Sequence, residues 1–162
     1  MEPLESTSLH LVQAGISKLL ALFPDKDFRP LIIDEYNHIA STEFERIRDF
    51  IVLHYKLTQR DDSELWRYCA AMDIPDTLQF KIDHFWTYGR YIARDMDLFG
   101  QSSWLAVHIG QGNIPERVDP LFPYRGLDGR EWLAKLRAAM TSEASRQPSH
   151  QQFIDQHCKA GD

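Results

Sequence analysis

At 162 residues, 43% of them hydrophobic, the chain can bury a substantial core as one compact domain, which excludes a disordered polymer. Its formal net charge of −6, with lysine and arginine scattered among the acids, excludes nucleic acid as the main partner, because phosphate binding needs a concentrated basic surface. No apolar run approaches the roughly 20 residues of a membrane span, and no basic-then-apolar leader opens the chain, so a cytoplasmic protein without membrane contact is expected.

The apolar residues Leu9, Val12, Ile16, Leu19, Leu20 and Phe23 recur at three- and four-residue spacing, which predicts an amphipathic helix from Ser6 to Phe23, capped by the hydroxyl of Ser6 or Thr7 and closed by Pro24. Pro30 suits the first turn of a long second helix reaching about Thr58. Asp61-Asp62-Ser63 caps a short helix over Glu64 to Met72, and Pro75-Asp76 starts another that ends near Tyr88. From Gly89 to Gln101 the periodicity fades into a loop or a meandering cap over a site. Ser102-Ser103 precede a helix from Trp104 to Ile109, which Gly110-Gln111-Gly112 terminates. Pro120 and Pro123 predict an extended segment. Capping-box spacing at Asp128/Glu131 and Ser149/Gln152 predicts two more helices. The fold class expected is mainly α, an irregular multi-helix domain over residues 1–162 with no repeat and no domain-separating linker.

Most chemistry-bearing motifs have bland readings. Glu35-x-x-His38 is a single pair, where a di-iron bundle needs two such pairs and further glutamates, so a solvated helix face and no metal are expected. Cys69 and Cys158 lack disulfide or zinc spacing and read as reduced structural thiols. His54 and His108, flanked by apolar residues, read as satisfied core histidines. Gly110-x-Gly112 follows a helix and runs into Ile114-Pro115, the wrong context for a dinucleotide fingerprint. Aromatics make up 12% of the chain, which serves packing and flat-ligand pockets equally.

The first eight residues are different. Glu2 and Glu5 approach a helix amino terminus, where the macrodipole stabilises negative charge. The amides of Thr7 and Ser8 would equally form an anion cradle, and a carboxylate beside an anion is an unusual pairing that chemistry needing both would justify.

Glu2-Pro3-Leu4-Glu5-Ser6-Thr7 resembles the Glu-Pro-Leu-Glu-Ser-Thr segment of the flavin-dependent tryptophan halogenases. The resemblance continues in Phe44-Glu45-Arg46-Ile47-Arg48-Asp49-Phe50, His54-Tyr55, Arg60-Asp61-Asp62-Ser63 with Trp66-Arg67-Tyr68, Ser103-Trp104-Leu105-Ala106-Val107, Gly110-Gln111-Gly112 and Pro148-Ser149-His150. It implies a flavin-dependent oxidoreductase that chlorinates or brominates tryptophan or another indole, using FAD and, indirectly, a flavin reductase. It also implies roles: Glu5 as the active-site glutamate, the Ser6 carbonyl on the indole N–H, the Thr7 and Ser8 amides on the halide, and Phe99 and Trp104 as an aromatic cap over substrate. Several members have glycine where this chain has Ser8.

The family's nucleotide fingerprint, its Trp-x-Trp-x-Ile-Pro motif and its catalytic lysine belong to an amino-terminal half, and no lysine of this sequence stands in a matching context. The expectation is a carboxy-terminal substrate and halide half-site, inactive alone for want of the flavin-binding domain, which is its implied partner. The alternative is a non-catalytic helical remnant. An unpartnered first helix would also favour self-association into oligomers.

Overall fold

The computed structural model describes residues 4–126 and 128–158; among them every regular element is helical and there is no strand. Two compact units are present, Met1–Asp119 and Pro120–Asp162.

The first unit is organised by the second helix. A 3-10 turn at Leu4–Ser6 leads into α1 (Thr7–Ala21), followed by α2 (Pro30–Lys56), α3 (Glu64–Ala71), α4 (Asp76–Tyr88) and α5 (Gln101–Gly110). Pro30 opens α2 because its fixed φ and missing N–H suit the first turn. Ile47, Phe50 and Leu53 recur at three-residue spacing along α2 and are buried, and Leu78 and Trp104 from α4 and α5 close the core around Phe50 and Leu53. Ser63 caps α3 by accepting from the Trp66 amide at 3.4 Å, as its sequence context predicts. Gly89 ends α4 with φ 70°, the left-handed conformation that glycine adopts without a Cβ penalty.

α1 is tied to α2 by polar contacts. Glu43 accepts from Lys18 and lies 3.2 Å from His10. Burial would raise the Glu43 carboxyl, but the Lys18 and His10 hydrogen bonds outweigh it and hold it below the usual value. The opposite face of α1 is an apolar stripe of exposed Leu9, Val12, Ile16 and Leu20, and Phe23 just past the helix is exposed too.

The segment between α4 and α5 is irregular, as the fading periodicity suggests, and is fixed by a buried cluster. The Lys81 ammonium donates to both Asp97 oxygens at 2.9 and 2.8 Å, and the Tyr91 hydroxyl donates to Asp97 at 2.7 Å. Burial lowers the Lys81 pKa, and burial followed by the bond to Asp97 raises that of Tyr91.

Three local expectations are corrected. The Ser6 hydroxyl makes no capping bond, because Ser6 has φ 53° and leaves the extended geometry that capping requires. α5 starts at Gln101, since Gly100 is extended and its carbonyl takes the Ser103 and Trp104 amides, so Ser102 and Ser103 lie inside the helix. Around Pro120 and Pro123 the chain turns into a 3-10 helix, Phe122–Arg125, because proline's φ near −65° serves that geometry as well as an extended one.

That turn belongs to the second unit, with α6 (Gly129–Arg146) and α7 (His150–His157). Asp128 caps α6 through the Arg130 and Glu131 amides, and Ser149 and Gln152 form the reciprocal capping box of α7.

Candidate functional site

Among the described residues of the first unit, four that bear side chains have positive φ, and two of them, Glu5 and Ser6, are adjacent at the start of the chain, while Phe28 and Met96 stand alone. Glu5 (φ 60°) and Ser6 (φ 53°) are consecutive left-handed residues, a conformation costing side-chain-bearing residues about 1–2 kcal/mol each. Such strain persists only where the surroundings hold it. Here the Glu5 carboxylate reaches α2, with Oε1 3.6 Å from Nε2 of His54.

His54 is fixed from behind. Its Nδ1 lies 2.8 Å from the Phe50 carbonyl one turn earlier, so Nδ1–H donates there and Nε2 is the atom presented to Glu5. Glu5 keeps 40% of its side chain exposed and His54 17%, leaving the carboxylate open to a ligand.

His54 lines a cleft of about 630 Å³, next to Leu4, the residue before Glu5. Leu4 lines one side, His54 and Tyr55 come from α2, and Trp66 stacks with Tyr55 at 6.1 Å between ring centres. The Arg60 guanidinium lies 4.6 Å over Trp66 and is held by Asp62 at 3.1 and 2.7 Å. The Gly110–Gly112 segment forms the far wall. Gln111 donates to the His54 carbonyl at 3.2 Å, and Gln59 donates to the Gln111 carbonyl at 2.7 Å. Gly112 has φ 77°, a conformation that suits glycine, and a Cβ there would meet the end of the Gln59 side chain, which would have to move. The Gly-x-Gly run is therefore a helix terminus and a cleft wall.

Thr7 is buried and Ser8 half-buried in the first turn of α1, whose amides receive no side-chain cap. Phe99 and Trp104 do not line the cleft. Phe99 stacks on Phe50 at 4.0 Å, while Trp104 meets Phe50 edge-on at 5.1 Å and is 1% exposed. Lys81 covers the Trp104 ring at 4.0 Å. The structure thus groups Glu5, Ser6, Thr7 and Ser8, and places Phe99 and Trp104 in the packing behind His54, whose ring meets Phe50 at 4.9 Å.

Tyr55, Arg60, Trp66 and the Glu5-facing role of His54 are what sequence reasoning missed. His54 is satisfied by a backbone carbonyl, as expected of a core histidine, but its second nitrogen points to the site. The available signal was the position of His54-Tyr55 and Arg60 through Trp66 within the resemblance, which carried no geometry.

The family model described as tryptophan halogenase matches residues 1–125. The chain belongs to the tryptophan halogenase family. It is 33% identical over 140 residues to the tryptophan 7-halogenase KtzQ of Kutzneria sp. (strain 744), covering 77% of this chain and 26% of that protein. Among solved structures it is similar to the flavin-dependent halogenase BrvH of Brevundimonas sp. BAL3, with a TM-score of 0.84, 41% identity, and coverage of 96% of this chain and 32% of that one. A flavin-dependent halogenase of Xanthomonas campestris gives a TM-score of 0.82 at 37% identity, covering 99% and 33%. The chain therefore spans about a quarter to a third of the length of these relatives. Among the described residues, no helix is long and apolar enough to cross a membrane.

Proposed function

We propose that this cytoplasmic chain supplies the substrate and halide half of an indole-halogenating site, with residues 1–162 forming one helical substrate-side region. The observation that carries this reading is the paired left-handed backbone at Glu5 and Ser6, which directs a carboxylate to His54 at the edge of an aromatic cleft. An indole lying in this cleft would pack against the Tyr55–Trp66 aromatic pair, with the Ser6 carbonyl nearby as acceptor for its N–H. When an electrophilic halogen adds to a ring carbon, the arenium cation gains stabilisation from the Glu5 carboxylate in a partly dry site. The ring C–H then breaks, its electron pair returns to the ring, and the Glu5 carboxylate takes the proton, with His54 fixed beside it. The Thr7 and Ser8 amides at the positive end of α1 suit a halide. Phe99 supports the cleft by holding Phe50 and His54 in place, as does Trp104.

The family is flavin-dependent, and FAD belongs to the complete enzyme in this reading. The described residues do not fit a flavin nucleotide: they form no strand-turn-helix phosphate cradle, and Gly110–Gly112 closes a helix. No step above passes through it. The partner implied is a flavin-bearing part of the enzyme, with a reductase acting on its flavin, and the exposed stripe on α1 supports a docking surface of that kind. Without such a partner the stripe favours oligomers.

Calorimetric titration of the purified chain with tryptophan and with indole, in the presence and absence of bromide, tests the half-site. Saturable indole binding is expected, together with tighter bromide binding in Glu5→Gln, where a negative neighbour is removed. Absence of both would leave a structural remnant as the correct reading.

A further inference from the structure

A second cavity, of about 390 Å³, shares no lining residue with the Glu5–His54 cleft. It lies among α2, α4 and the segment after α4, and is lined by Arg46, Asp76, Thr77, Phe80, Lys81 and Arg94. Three of its six residues are cations. The carboxylates around it are largely committed: Asp97 accepts from Lys81, Tyr91 and the Arg94 amide, while Asp49 accepts from Arg48 and Thr77.

The two guanidiniums are not so committed. The Nε of Arg46 is buried without a hydrogen-bond partner. Arg94 lies over the Phe80 ring at 5.0 Å. Among the described residues, neither guanidinium makes a hydrogen bond or an ion pair, whereas those of Arg48, Arg60 and Arg90 are all paired with carboxylates. A buried charged donor without an acceptor is costly, and such an orphan points to a missing acceptor. The sole lining carboxylate, Asp76, is exposed in the first turn of α4, where the helix dipole favours it. With Lys81 balanced by Asp97, the lining keeps two unpaired positive charges against that one negative charge.

We propose that this cavity is a binding site for a small oxyanion, a carboxylate or a phosphate, held between Arg46 and Arg94. A guanidinium presents paired N–H donors that match two oxygens of one anion, which a spherical halide cannot do. The Phe80 ring holds the Arg94 plane in position, and the cavity lies within the size range of small-ligand sites.

The test is NMR of the arginine-labelled 162-residue chain, following the Nε–H signals of Arg46 and Arg94. Sodium acetate, inorganic phosphate and sodium chloride are added at matched ionic strength. Saturable shifts of both signals with acetate or phosphate are expected, and the tighter of the two identifies the source of the oxyanion. In Arg94→Gln, an exposed substitution that leaves the helices intact, the Arg46 signal should require about tenfold more of the same anion, the loss expected for one charge-assisted contact. Equal shifts with chloride, drift without saturation, or an unchanged midpoint in Arg94→Gln would each overturn the proposal.

Discussion

Acidification offers a sharp test of the packing beneath the site, through His108. The ring is 2% exposed, stacks on Phe85 at 4.1 Å with the planes 13° apart, and has Nδ1 2.9 Å from the Asn113 side-chain nitrogen. Nδ1 must therefore be an unprotonated acceptor from that amide. Burial depresses the His108 pKa from 6.5 to about 4. The folded state thus binds this proton less readily than the unfolded chain does, so the neutral ring's contribution is fully present above pH 6.5 and is lost as pH falls from 6.5 towards 4. Integrating that difference gives a loss of about 2 kcal/mol by pH 5 and about 3 kcal/mol by pH 4. Urea unfolding at several pH values, compared with His108→Phe, isolates this contribution: the variant keeps a ring over Phe85 and cannot titrate. The expected result is a slope between pH 6.5 and 4 that is steeper in the native chain by this amount. Parallel slopes, or an NMR midpoint for His108 between 6 and 7, would refute the reasoning.

Phe50→Ala should cost about 3–5 kcal/mol in denaturant unfolding, since it opens a cavity among His54, Phe99 and Trp104. In Asp97→Asn the buried Lys81 ammonium loses its charge partner, and a loss of about 3–5 kcal/mol is expected; a change below 1 kcal/mol would show that Lys81 finds another partner or water. Ser6→Gly removes left-handed strain, so its melting temperature should rise by the equivalent of about 1 kcal/mol.

These effects also show what the sequence could reveal. Pro30 at the start of α2, Ser63 before α3 and the Ser149/Gln152 pair before α7 are local devices, and each acts where its sequence context places it. The long helix α2 was legible in the sequence, but not that Phe50 and Leu53 are the positions at which its neighbours meet it in the core. Trp104 illustrates that limit: its helix was legible, while its place against Phe50 and Lys81 is decided by tertiary packing. The left-handed turn at Glu5 and Ser6 was illegible because neither residue favours that region, and the contact that accompanies it comes from His54 on another helix. The anion-site reading of Thr7 and Ser8 came from the helix terminus and the family motif together, and neither source revealed His54 facing Glu5. Arg46 was equally hidden, since an arginine on a helix reads as a solvated charge until its Nε is found buried.

The central claim, that this chain carries the substrate half of a halogenating site, is tested most directly by a chimera. The chain would replace the matching third of the Brevundimonas halogenase, to which it is 41% identical, and products formed from indole and bromide would be analysed by mass spectrometry. A brominated product that disappears in Glu5→Gln is expected. A folded, flavin-loaded chimera yielding no brominated product, or one whose yield is indifferent to Glu5, would contradict it.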